Sequence, residues 1–151
     1  MSEKISKYVS YDEMVRSVTA KKHNIENKPD EKQLAAAKLL CEKVYDPLRE
    51  WYGKEIFISS FFRSAKVNAI NGGSNTSQHI LGEAVDLDVN EDNPKLFDYI
   101  KKNLTFDQLI WEFGTDACPG WIHVSYSATK NRKQILKAVK KNGKTVYLPY
   151  K

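Results

Sequence analysis

The stretch Ser74–Val89, reading Ser-Asn-Thr-Ser-Gln-His-Ile-Leu-Gly-Glu-Ala-Val-Asp-Leu-Asp-Val, constrains this chain more than any other. It carries an imidazole, His79, and a carboxylate, Asp86, and zinc accepts both ligand types. Between them, Gly82 and Ala84 are small enough to let the backbone fold back on itself. The second half alternates, with Val85, Leu87 and Val89 on one side and Ala84, Asp86 and Asp88 on the other, the period of a half-buried strand. Asp86 therefore belongs to the polar face of a strand, and His79 to the loop that feeds it. A third ligand has to come from elsewhere, and the sequence holds only two further histidines, His23 and His123.

His23 lies in the charged run Lys21-Lys22-His23-Asn24 and reads as an exposed loop residue. His123 lies in Trp121–Tyr126, where Ile122 and Val124 alternate with Trp121, His123 and Ser125, so it too occupies a polar strand face. His79, Asp86 and His123 thus form a candidate set of two nitrogens and one carboxylate. With a fourth position open this is a catalytic zinc arrangement, whereas structural zinc sites are closed by four protein ligands. Hydrolysis at such a metal needs a base. Glu112 is the first candidate, on the polar side of a strand expected over Phe106–Phe113, where Asp107, Leu109, Trp111 and Phe113 alternate with Gln108, Ile110 and Glu112. Asp88 and Asp116 are the alternatives. Cys118 lies five residues before His123 and, as a thiolate, would close the site. Pro119-Gly120 argues that its loop turns away.

The rest reads as scaffold. A short amphipathic patch around Tyr11–Val18 carries Asp12 and Glu13 where a helix start favours acids. Pro29-Asp30 opens the clearest helix, with Leu34, Ala37, Leu40, Cys41, Val44, Leu48 and Trp51 as its core stripe, Pro47 as a kink and Gly53 as its stop. Glu55–Phe61 reads as a strand ending at Phe62-Arg63, 64–70 as a short helix, and Asn71-Gly72-Gly73 as a turn. Asn93-Pro94 supplies an N-cap and first residue for a helix to about Lys102. Near the end, Asn142-Gly143 between Lys133–Lys140 and Lys144–Leu148 favours a hairpin, although the first arm is also compatible with a short helix.

At 151 residues the chain is expected to be one domain with a core of its own. The N-terminus lacks the apolar segment of a signal peptide and no long apolar run follows, so neither secretion nor membrane insertion is expected. The expected setting is the cytoplasm or, for a phage-encoded protein, release at lysis. Two cysteines without a secretion signal read as reduced thiols. A net charge of +5 is too mild to argue for nucleic acid as a partner.

One resemblance sharpens this reading. Ser77-Gln78-His79-Ile80-Leu81-Gly82-Glu83-Ala84-Val85-Asp86 is similar to the Ser-x-His-x-x-Gly-x-Ala-x-Asp signature of the zinc D-Ala-D-Ala carboxypeptidase family. That family also holds D-Ala-D-Ala dipeptidases and L-alanyl-D-glutamate endolysins, and shares its fold with the hedgehog signalling domain. Ser59-Ser60-Phe61-Phe62-Arg63-Ser64 resembles its Ser-Gly-Tyr-Arg-Ser segment, and Trp121-Ile122-His123-Val124 its closing ligand strand. The likeness extends over nearly the whole chain. It implies a hedgehog-type α+β fold, in which an antiparallel sheet bears a zinc site on one face and helices pack on the other. It implies zinc on His79, Asp86 and His123, Arg63 as a contact to the substrate carbonyl and its developing oxyanion, and Ser77 as a substrate-holding residue. The implied activity is hydrolysis of peptidoglycan stem peptides by a monomer, D-alanyl-D-alanine cleavage first and L-alanyl-D-glutamate cleavage second. A non-catalytic hedgehog-like zinc module is the alternative from another class. One departure stands out: several branches carry their acid/base as Glu-x-x-His, and that position here is Gly120.

Overall fold

The computed structural model describes residues 3–150. Two short helices come first, α1 (Tyr11–Val15) and α2 (Val18–Lys22). Ser10 and Glu13 close a reciprocal capping box at the start of α1, which satisfies backbone N–H groups that the first turn leaves unpaired. His23 ends α2, exposed as its polar neighbourhood implies.

The long helix forms, but in three parts. α3 (Glu31–Leu40) is capped by Asp30 and Gln33, a wide π turn runs over Cys41–Tyr45, and α4 (Asp46–Tyr52) ends on Gly53 at φ +75°. Pro47 has no N–H, and its ring would strike the carbonyl four residues back in a regular helix; the wide turn relieves that clash where a kink was expected. The extra residue also shifts the stripe. Ala37, Leu40, Cys41, Val44 and Leu48 are buried as expected, but Tyr52 continues the core side, while Trp51 turns outward and stacks on Tyr99 with ring centroids 4.1 Å apart.

The sheet has six strands: β1 (Phe57–Ser60), β2 (Ala84–Asp88), β3 (Gln108–Glu112), β4 (Trp121–Ser125), β5 (Gln134–Lys141) and β6 (Lys144–Pro149), in the order β1-β2-β4-β3-β5-β6. α5 (Ala65–Ile70), capped by Ser64, lies between β1 and β2, and α6 (Asn93–Asn103) between β2 and β3. Asn93 is the first helical residue rather than a cap. Its buried side chain accepts from Val89 N and donates to Asp88 and to the Pro119 carbonyl.

The expected antiparallel sheet needs one correction, because β3 and β5 pair in parallel. No helical crossover is required, since β5 follows β4, which is antiparallel to β3 and lies on its other side. The link over 126–133 passes the start of β3, where Lys133 N donates to Phe106 O and Arg132 grips Asp107. β3 is also shorter than expected at both ends, and it stops at Glu112 because Phe113 (φ +55°) and Gly114 (φ +68°) turn the chain out of extended conformation. The final hairpin is present, closed by Asn142 and Gly143 with φ of +52° and +77°, the positive pair that a two-residue hairpin turn requires.

Alternation divides the sheet's faces. Val85, Leu87, Leu109, Trp111, Ile122 and Val124 meet the apolar sides of α3, α4 and α6 in one core. The other face carries Asp86, Ile110, Glu112, Trp121 and His123 into a cleft. Among the described residues no helix is long and apolar enough to cross a membrane.

Candidate metal centre

Strand order determines which side chains can meet. β4 lies between β2 and β3, and His123 stands directly opposite Asp86 on one side and Ile110 on the other. Directly paired residues share a face, so Asp86 and His123 meet although 37 residues separate them. His79 arrives from the loop before β2. Its carbonyl accepts from Arg63 N at 3.2 Å and from Gly82 N at 3.3 Å, and the neighbouring Ile80 carbonyl accepts from Gln33 Nε2 of α3 at 3.0 Å. Gly82 makes this close packing possible. It sits at φ +75°, and a Cβ there would lie 2.3 Å from the Gln33 carbonyl oxygen.

His79 Nδ1 lies 2.7 Å from the Phe61 carbonyl oxygen, which can only accept, so Nδ1 bears the proton and Nε2 presents its lone pair. Nε2 is 3.3 Å from Asp86 Oδ1, and His123 Nδ1 is 3.1 Å from the same oxygen. The three residues offer ligand atoms all within 4.8 Å of one another, and the two rings meet edge to face at 73°. Two imidazoles and a carboxylate gathered this closely are a ligand set that a cation between them can use. The spacing suits zinc, because bonds of about 2.0–2.1 Å in a tetrahedron give ligand–ligand edges of about 3.3 Å. Burial alone would raise the Asp86 carboxyl, but the imidazoles of His79 and His123 hold it well below the usual carboxylate range. Asp86 is thus ready as an anionic ligand.

Arg63 extends past the end of β1 toward the same carboxylate. Its Nε donates to Ser60 Oγ (3.0 Å), Nη1 to Asn68 Oδ1 (3.4 Å) and Nη2 to Asp86 Oδ2 (3.3 Å), so the guanidinium is held in one orientation at the cleft wall. Ser77 lines the cleft as well, its Oγ accepting from His79 N. Glu112 lies on β3 opposite Trp121 and two residues from the partner of His123. It is 7% exposed, and burial pushes its carboxyl up to about 7; Asp86 adds to the rise, while His123, a hydrogen bond from Trp121 and Arg63 oppose it. A buried carboxyl near neutrality beside a metal-ligand cluster is suited to moving protons.

The other base candidates lie elsewhere. Asp88 Oδ1 is taken up by Asn90 N and Asn93 Nδ2, and its side chain faces a second cavity. Asp116 is exposed and paired with Lys137. Cys118 Sγ points at the carbonyls of Asn90 and Pro119, both 3.5 Å away, and is not part of the cluster. Sequence reasoning gave no role to Asn68, the Phe61 carbonyl or the Asp107–Arg132 pair, which orient Arg63, His79 and the cleft wall respectively. Only folding brings them there, and a backbone carbonyl leaves no trace in side-chain identity.

The cleft around this cluster has a volume of about 820 Å³, with Arg63, Ser77, Gln78, Trp121 and Tyr147 among its walls. A comparison with curated proteins gave no match. The family model described as Peptidase M15 matches residues 7–125, a span that contains all three candidate ligands, Arg63, Ser77 and Glu112. M15 peptidases are zinc-dependent, and the His79–Asp86–His123 cluster has the chemistry to hold that ion. The chain belongs to the Peptidase M15 family.

Proposed function

We propose that this protein hydrolyses peptide bonds in peptidoglycan stem peptides, with His79, Asp86 and His123 as zinc ligands and Glu112 as acid/base. One observation carries the reading: a buried carboxyl pushed up to about 7 shares a cleft with two imidazoles and a carboxylate that converge within ligand distance. When bound, zinc supplies Lewis acidity, which acidifies water and polarises a carbonyl. Glu112 takes the proton of the attacking water and returns it to the leaving amine. Arg63, held by Ser60, Asn68 and Asp86, offers a fixed positive charge where the oxyanion develops, and such charge is worth most in a site shielded from water. Ser77 holds substrate at the rim and braces the His79 loop.

Glu112 also answers the departure at Gly120. Gly120 N donates to Glu112 O, so the two positions are neighbours across the β3–β4 turn. A carboxyl delivered from β3 takes the place of one delivered three residues before His123. D-alanyl-D-alanine cleavage is the first choice and L-alanyl-D-glutamate cleavage the second, on a hedgehog-type frame acting as a monomer.

The test is incubation of zinc-loaded protein with defined muropeptides, with and without chelator, and identification of the released amine by mass spectrometry. Cleavage abolished by chelator, and a Glu112→Ala variant that keeps zinc but loses about a hundredfold or more in turnover, are expected. Bound zinc with no cleavage of any muropeptide would identify a binding module instead.

A further inference from the structure

The family match ends at Ser125, yet the cleft does not. Its far wall is the C-terminal hairpin, β5 and β6, which contributes Gln134, Leu136 and Tyr147. Strand register puts Tyr147 in a specific relation to the proposed acid/base. Trp121 pairs with Glu112, Glu112 with Ala138, and Ala138 with Tyr147, so these four residues form one row across β4, β3, β5 and β6 on the cleft face of the sheet. Two strand spacings, about 9–10 Å, separate the backbones of Glu112 and Tyr147. The residue between them is only a buried alanine, which leaves the phenol free to lean along the row.

The hairpin is a firm support. Asp107 accepts from Arg132 Nε at 2.7 Å and Nη2 at 2.9 Å, Phe113 N donates to Ala138 O, and the Tyr150 ring packs on Phe97 and Trp111 at 4.9 and 5.7 Å. Tyr147 itself is 53% exposed and lines the cleft, so its phenol is accessible to a ligand there. Burial of its inner part raises the phenol's pKa, the charges of Glu112 and Asp86 raise it further, and Arg63 opposes them. The hydroxyl therefore keeps its proton and feels the same field as the proposed reacting groups.

We propose that Tyr147 is a substrate-binding residue: its phenol, held on the C-terminal hairpin, donates a hydrogen bond to the peptide backbone of the substrate from the wall opposite Arg63. Arg63 follows β1 at one edge of the sheet and Tyr147 sits on β6 at the other, so a peptide lying across the strands is held from both sides of the ligand cluster. The assignment rests on the stem-peptide reading and adds to it a contact from outside the family-matched span.

The experiment compares zinc-loaded wild type, Tyr147→Phe and Tyr147→Ala in kcat and KM on the muropeptide that wild type cleaves. In parallel, the affinity of each for the intact muropeptide is measured by calorimetry in a Glu112→Gln background, together with zinc content. Loss of the hydroxyl should raise both KM and Kd by about tenfold, leave kcat within about twofold and leave zinc content unchanged. Tyr147→Ala should be at least as impaired in binding. If Tyr147→Phe matches wild type in KM and Kd, or loses kcat alone, the assignment is overturned while the stem-peptide reading stands. If wild type neither cleaves nor binds any muropeptide, both fall together.

Discussion

Glu112 shows how placement changes the chemistry of an ordinary carboxyl. Its pKa rises from 4.5 to about 7 chiefly because burial disfavours the charged form. The native state therefore binds this proton more tightly than the unfolded chain, and the Glu112 contribution to stability falls as pH rises from about 4.5 to about 7, then levels off. In metal-free protein Glu112→Gln should remove this decline. The variant should gain on wild type by on the order of 2–3 kcal/mol between pH 4.5 and pH 8 in urea titrations; parallel stability profiles would refute the burial argument. The two thiols provide a second residue-scale test. Cys41 is fully buried and its thiol is pushed up to about 12 by that burial, so an alkylating reagent should leave it unmodified in the native protein. Cys118 is partly exposed and should be labelled alone, at a rate unchanged by zinc, as mass spectrometry of the labelled peptides would reveal.

Among the elements, the His79 loop depends most on a single small residue. Gly82 combines a left-handed φ with backbone contact to α3, so Gly82→Ala meets both a conformational penalty and a clash that no side chain can relieve. A loss of about 2–4 kcal/mol is expected, with weaker zinc retention because Ile80 and His79 move with the loop. Calorimetric unfolding with a zinc titration would check both. The π turn over Cys41–Tyr45 illustrates the opposite case: a proline inside an apolar helical stripe announces some irregularity, but whether helix kinks or widens depends on what packs beside it. Here the widened turn keeps Val44, Tyr45 and Leu48 in the core.

Across the whole molecule, the cleft is assembled by the strand order β1-β2-β4-β3-β5-β6, which interleaves strands distant in the chain. The link into β5 is tied to the start of β3 by Arg132 on the buried Asp107. Arg132→Ala leaves that carboxylate without its main partner and should cost about 2 kcal/mol. Hydrogen exchange should accelerate first in 134–149 and spare β2 and β4; uniform loss of protection would mean that the hairpin is not a separately docked unit.

Much of this was legible in the residues themselves. Period-two alternation around Asp86, Glu112 and His123 assigned each to the polar face of a strand, because side chains alternate across any strand whatever it pairs with. The Asn142-Gly143 hairpin was legible for the same local reason, since few other pairs accept two positive φ angles. Pairing partners are not local. That β3 joins β5 in parallel, that Phe61 lends a carbonyl to His79, and that Tyr147 shares a row with Glu112 follow from which strands lie side by side. The sequence by itself determined the candidate ligand types and their faces. The tertiary structure alone decided their convergence, because contact between residues dozens of positions apart is set by the packing of the whole sheet against its helices.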